Sequence, residues 1–156
     1  MKLVSILLIF LVSVIYAEEL KIKADYFESS ENNMVSVFRG HVHVTKGFDE
    51  IKANKLTIYT DKKRNPTKFE AEGNVKFKIK DESGKRYKGK AQRVIYIPSK
   101  KIYKFYTDVF LEEIGDKREI EGDVVEFNAI TGKAHAKGVE GNPVIMTFDI
   151  KDEKEK

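Results

Sequence analysis

The chain has 156 residues, of which 29 are basic and 25 acidic, giving a formal net charge of +4. A balance this mild and mixed in sign excludes the clustered basic footprint of a nucleic-acid binder. Cysteine is absent, which excludes disulfides and thiol chemistry but does not fix the compartment.

Lys2 is followed by the apolar run Leu3–Tyr16, and Ala17 stands before Glu18-Glu19. A short charged start, an apolar stretch and a small residue ahead of the charges predict a secretory signal over 1–17, cleaved after Ala17. The run is short for a membrane span, which takes ~20 apolar residues. An uncleaved N-terminal anchor is the alternative reading. The 139 residues beyond Ala17 carry 28 basic against 25 acidic groups, a net +3, and suffice for one domain with a real core, over 18–150.

From Leu20 the pattern is that of strands. Leu20–Ala24 opens the series, and Glu31-Asn32-Asn33 marks a turn. In Phe38–Val44 (FRGHVHV), parity places Phe38, Val42 and Val44 on a dry face and His41 and His43 on a wet one. Lys46-Gly47 turns the chain into Ile51-x-Ala53-x-x-Leu56-x-Ile58, and the stretch from Asp61 to Pro66 turns it again. From Phe69 to Ile79 the alternation is clean. Phe69, Ala71, Gly73, Val75, Phe77 and Ile79 face one way, while Lys68, Glu70, Glu72, Asn74, Lys76 and Lys78 face the other. Period two predicts a half-buried strand. Asp81 to Gly84 leads to Gly89-x-Ala91-x-x-Val94-x-Tyr96. Pro98-Ser99 then leads to a strand with Tyr103, Phe105, Val109 and Leu111 inward. Gly115-Asp116 precedes Ile120-x-Gly122-x-x-Val125-x-Phe127, and Thr131-Gly132 precedes Gly138–Val144 (GVEGNPV) and a closing strand over Val144–Ile150. The tail Lys151–Lys156 (KDEKEK) has no apolar face and is expected to be disordered.

Two motifs recur. Glycine-marked strands pivot on Gly40, Gly73, Thr107 (where glycine is lost) and Gly141, spaced 33, 34 and 34 residues apart. A fixed period in this range signals stacked copies of one supersecondary unit. Between them, Ile22-x-Ala24-x-x-Phe27 and its three counterparts place two inward residues at spacing two and then jump by three. That phase change predicts a bulge or bend beside the small residue Ala24, Ala53, Ala91 or Gly122. Short strands at regular spacing with turn clusters predict an all-β sandwich or roll.

The dry face is either a solid core or a hydrophobic trough, and periodicity does not separate the two. His41 and His43 have a usable metal-ligand spacing, but parity puts them on the wet face and only His135 remains to join them. The sequence holds no HExxH, phosphate loop or nucleophile motif, so no enzyme activity, metal or other cofactor is expected. Lysines and arginines near the turns, among them Lys46, Lys85, Arg86 and Lys101, read as a solvated surface with the option of pairing phosphates at a trough's mouth.

Ala24–Lys62 resembles the opening repeat of the OstA-like proteins, the periplasmic lipopolysaccharide-export family that includes LptA. The residues that carry the likeness are Phe38-Arg39-Gly40-His41-Val42-His43-Val44-Thr45-Lys46-Gly47 and then Ile51-Lys52-Ala53-Asn54-Lys55-Leu56. Tyr87-Lys88-Gly89-Lys90-Ala91 and Ile120-Glu121-Gly122-Asp123 resemble later repeats, so the likeness covers nearly all of Leu20–Ile150. Thr107 and Pro143 depart from the pattern.

The resemblance implies a single open, twisted antiparallel β-jellyroll that stacks head to tail into a periplasmic bridge. Lipid A acyl chains would travel along its interior from an inner-membrane export complex to an outer-membrane translocon. Under that reading, inward parity and bulk nominate Leu20, Ile22, Phe38, Phe69, Phe77, Tyr96 and Phe105 as lipid-facing. Leu20, Ile22 and Ala24 at one edge and Ile145, Thr147 and Asp149 at the other would join neighbouring copies by strand addition. Two other readings are a membrane-anchored jellyroll partner on the same export route and a self-assembling β-scaffold with a solid core.

Overall fold

Alternating apolar and polar side chains specify half-buried strands, and in the computed structural model, which describes residues 18–151, ten are present. The expected export signal over 1–17 and the tail beyond Lys151 lie outside the described residues. The strands are β1 (Leu20–Lys23), β2 (Tyr26–Ser30), β3 (Val35–Lys46), β4 (Asp49–Thr60), β5 (Pro66–Lys80), β6 (Arg86–Ile97), β7 (Ile102–Glu113), β8 (Arg118–Asn128), β9 (Ala134–Lys137) and β10 (Ile145–Thr147). Among the described residues there is no helix. All ten strands form one antiparallel sheet in the order β1-β3-β4-β5-β6-β7-β8-β10, with β2 also on β3 and β9 also on β8. The turns between consecutive strands from β2 to β9 lie where the turn signals put them.

The sheet folds over along a line of bulges. The register shifts between Arg39 and Val42, between Glu72 and Val75, and between Tyr106 and Val109, and in each case the glycine-marked strand carries one more residue than its partner. The sequence motif places the phase change correctly beside Ala53, Ala91 and Gly122, but it assigns the extra residue to the wrong strand. The extra length is a left-handed pair: Gly40-His41 (φ +78° and +46°), Gly73-Asn74 (+83° and +47°) and Thr107-Asp108 (+64° and +50°). A left-handed pair bends a strand sharply, and the small residue opposite leaves room for the bend.

Each long strand therefore belongs to two layers. Layer one holds β1, β10 and residues 42–46, 49–53, 75–80, 86–91, 109–113 and 118–122; layer two holds β2, β9 and the other halves. Strands two apart in a flat sheet are ~10 Å apart. Phe77 of β5 nevertheless stacks on Phe105 of β7 with ring centroids 4.4 Å apart, and Tyr87 of β6 meets Phe127 of β8 at 4.7 Å. The core between the layers is built from Leu56, Val75, Ile79, Val94, Phe105, Val125 and Phe127, all essentially inaccessible to solvent.

Three expectations need correction. Gly138–Val144 is not a strand; it is a tight turn in which Val139 N–H donates to Asn142 O at 3.0 Å and Asn142 N–H donates back at 2.9 Å. Pro143 offers no N–H to β8, so the excursion splits the final strand into β9 and β10. The closing strand is accordingly short, 145–147 rather than 144–150, and Asp149 lies beyond it with its carboxylate 3.7 Å from Lys117. Glu70, expected on the wet face, is buried on the outside of layer two. Arg93 covers it through Nε and Nη2, both at 2.6 Å, and Lys68 adds a contact at 3.5 Å.

Candidate functional site

Between the layers, toward the N-terminal strands, lies an apolar cavity of about 290 Å³. Leu20, Val44 and Ile51 line it from layer one; Leu56, Phe69 and Tyr96 line it from layer two. Strand tips form its rim, with Lys46 and Asp49 on one side and Pro66 and Pro98 on the other. Burial pushes the Asp49 carboxyl above its ordinary range, against the pull of the Lys80 N–H that donates to it at 2.9 Å and of the Lys46 charge. Tyr96 stacks on Tyr103 at 4.4 Å, and burial raises both phenols. The rim is thus polar on the Lys46–Asp49 side, and the interior is apolar.

Farther along the roll the layers close on each other. Glu82 N–H donates to Ala129 O at 2.8 Å, and Lys101 pairs with the Glu82 carboxylate. The Tyr87 hydroxyl donates to Asp81 Oδ2 at 3.1 Å. The Glu82 contacts to Ala129 and Lys101 thus latch the two layers together beneath β5–β8.

Of the seven residues nominated as lipid-facing, Leu20, Phe69 and Tyr96 line the cavity. Ile22 and Phe38 are half-buried against the core, the Phe38 ring 4.8 Å from Phe27. Phe77 and Phe105 are fully buried and stacked on each other, outside the cavity lining. Val44, Leu56, Ile79, Val94 and Tyr103 also line the cavity. Their inward parity was visible, but bulk alone did not rank them. Pro66 and Pro98 carried only a turn signal, and Asp49 carried none.

The two sheet edges are the N-terminal pair β1 and β2 and the C-terminal pair β9 and β10. Leu20, Tyr26 and Phe27 are exposed at the first, and Val144, Ile145, Met146 and Phe148 at the second. Ile22 faces Val44 within the sheet and Ala24 marks the break between β1 and β2, while Ile145 and Thr147 pair with Glu121 and Glu119. β1 and β10 lie in the same layer and run in opposite directions, as do β2 and β9, because strand direction alternates across the whole sheet.

The histidines do not converge. His41 Nδ1 is 2.6 Å from Asp25 Oδ2, and that bond raises the imidazole pKa. His43 Nε2 is 3.2 Å from Glu50 Oε1, without hydrogen-bond alignment. Among the described residues no three His, Cys, Asp or Glu side chains gather as a metal site.

Residues 21–133 match a protein family described as LptA/(LptD N-terminal domain) LPS transport protein. No curated protein matches the sequence. Among solved structures the chain is similar to LptH of Pseudomonas aeruginosa, described as the LptA homologous periplasmic component of the conserved lipopolysaccharide transport device. The TM-score is 0.75 at 18% identity, over 85% of this chain and 96% of that one. The likeness is one of fold.

Proposed function

This chain belongs to the LptA/LptD N-terminal-domain family of lipopolysaccharide transport proteins, and we propose that it is a periplasmic bridge component holding lipid A acyl chains between its two layers. The observation that carries the proposal is the cavity, lined by apolar side chains with Lys46 and Asp49 at its rim and Leu20 of the edge strand β1 in its wall. Its volume lies near the lower end of ordinary ligand sites, ~300–1,000 Å³. A cavity lined by Leu20, Phe69 and Tyr96 favours a trough over a solid-core scaffold.

The two sheet edges support head-to-tail stacking as part of this reading. Another copy's β1 and β2 can continue the sheet beyond β10 and β9 without changing layer or breaking the antiparallel alternation. Exposed strand edges are a liability unless a partner covers them, and a heterologous joint of this kind makes open filaments. The jellyroll domains of an inner-membrane export complex and an outer-membrane translocon would take the free ends. Export by a cleaved signal is part of the reading; N-terminal sequencing that recovers Met1 on membrane-retained protein would favour the anchored alternative.

The test is photo-crosslinking. A crosslinker at Phe69 or Tyr96 captures lipopolysaccharide, and one at Glu72, on the outer side of the same strand as Phe69, does not; equal labelling at all three refutes the trough. For stacking, Thr147→Pro puts a residue without an N–H on the edge strand β10 and leaves a folded monomer that fails to form concentration-dependent oligomers. A mutant that assembles like the parent refutes the edge joint. If Thr147→Pro disturbs folding, Thr147→Lys replaces it, placing a like charge near Lys21 and Lys23 of the next copy, with rescue by Lys21→Glu.

A further inference from the structure

On the outer surface of layer one, three successive rungs of β5 and β6 each set cation against cation: Lys76 opposite Lys90, Lys78 opposite Lys88, and Lys80 opposite Arg86. Like charges directly opposite one another destabilise a sheet, and this ladder places six in one block. Lys78 has Glu50 at 3.6 Å and Lys88 has Glu112 at 3.3 Å. Among the described residues no carboxylate lies within ion-pair distance of Lys76, Lys80 or Lys90.

The block sits mid-sheet, with three strands between it and either end of the sheet order, so strand addition at the edges does not cover it. One end of it reaches the cavity. Lys80 lines a polar hollow together with Lys46, Asp49, Tyr96 and Tyr103, the last four of which also line the apolar cavity; Lys101 and the acidic residues Glu18, Asp81 and Glu82 line the hollow as well.

We infer that this ladder binds the phosphorylated saccharide head of the amphiphile whose acyl chains occupy the cavity. The head leaves the rim beside Lys46, passes Lys80 and lies over the outer face of layer one. The inference rests on the acyl-chain reading above and adds where the anionic half of the same molecule goes. Cations on adjacent strands are ~4.8 Å apart and those two residues along a strand are ~6.7 Å apart. A phosphate is therefore within reach of several flexible ammonium groups at once, and its charge removes the repulsion between them.

The experiment uses two probes on the full exported protein: the deacylated, phosphorylated saccharide prepared from lipopolysaccharide, and a fluorescent fatty acid. The parent binds the saccharide in a salt-sensitive manner. Combining Lys76→Gln, Lys78→Gln, Lys88→Gln and Lys90→Gln weakens that binding about tenfold or more, with fatty-acid binding unchanged. The pair Lys76→Gln and Lys90→Gln, which removes no ion pair, gives a smaller loss in the same direction and serves if the fourfold variant folds poorly. Equal saccharide binding by parent and variants overturns the inference, as does equal binding after phosphatase treatment. Variants that keep the saccharide but lose self-association assign the ladder to the glutamates of a second copy, and the inference falls. Saccharide binding with no fatty-acid binding overturns the cavity reading and leaves the ladder standing.

Discussion

Asp25 sits directly over Gly40. Its N–H donates to Gly40 O at 2.9 Å, and a β-carbon at Gly40 would strike Asp25 Oδ2. The relation repeats one unit later, where a β-carbon at Gly73 would come within 2.6 Å of Asn54 Nδ2. It fails in the third unit. Thr107 occupies the glycine position, and Gln92, the counterpart of Asp25 and Asn54, turns instead toward Asn74 and accepts its N–H at 3.4 Å. The two sequence motifs are thus a seat and its cover.

Thr107 holds a φ of +64°, which is costly for a β-branched residue. Thr107→Gly is expected to stabilise the protein by about 0.5–1 kcal/mol, the relief of left-handed strain less the entropy glycine adds to the unfolded chain. Gly40→Ala is expected to destabilise by about 1–3 kcal/mol, since it adds both strain and a clash. Urea midpoints at unchanged slope measure both; a loss for Thr107→Gly would mean that the threonine side chain contributes something the backbone does not explain.

Phe105 and Phe69 separate core from cavity. Phe105 is fully buried, so Phe105→Ala should cost about 3–5 kcal/mol. Phe69 borders the cavity and meets Tyr96 at 6.1 Å, so Phe69→Ala should cost roughly half as much or less. Fatty-acid binding should show the opposite order, weakened by Phe69→Ala and by Phe69→Glu. Equal costs at both positions would mean that no cavity persists in solution.

Asp81 anchors the latched part of the roll. Burial by itself would raise its carboxyl, but Ser83 Oγ at 2.7 Å, the Lys85 N–H at 3.0 Å and the Tyr87 hydroxyl at 3.1 Å outweigh that and hold it below the ordinary range. A carboxyl lower in the folded state contributes stability that is present above its unfolded value near 3.8 and lost as pH falls through the folded value. Asp81→Ala should cost roughly 1–3 kcal/mol at neutral pH. Thermal melts between pH 6 and about pH 3 should fall less steeply for Asp81→Asn than for the parent.

His41 behaves oppositely. Its bond to Asp25 raises the imidazole, so the pair's contribution is fully present below the unfolded value of 6.5 and is lost as pH rises through the folded one. An NMR titration of the His41 ring should give a midpoint above 6.5, and Asp25→Asn should bring it down. An unshifted midpoint in the parent would show that the contact does not persist in water.

The sequence makes much of this legible because a strand's side-chain period is two. Val42, Val75, Phe105 and Val125 follow from parity alone, and the turns follow from their Gly, Pro, Asn and Asp residues. Parity states which face a residue takes, and nothing about how closely the opposite layer approaches. Hence Phe77 and Phe105, read as lining a trough, lie where the layers touch, while Phe69 and Tyr96, on the same dry face, lie where they part. Glu70 escaped for a related reason: its burial comes from Arg93 on the neighbouring strand, a pairing that only register reveals. The left-handed backbone at Thr107-Asp108 is marked only by the repeat period, because a β-branched threonine there gives no local sign of it.

Strand direction recurs every second strand, and every long strand crosses both layers. A duplicated or deleted hairpin of one period would change the roll's length by two strand widths, ~10 Å, while leaving the residues presented at either end untouched. Length and edge chemistry are therefore separable in this fold. Half a period is not so forgiving: a single added strand would reverse the direction of the strand at one edge.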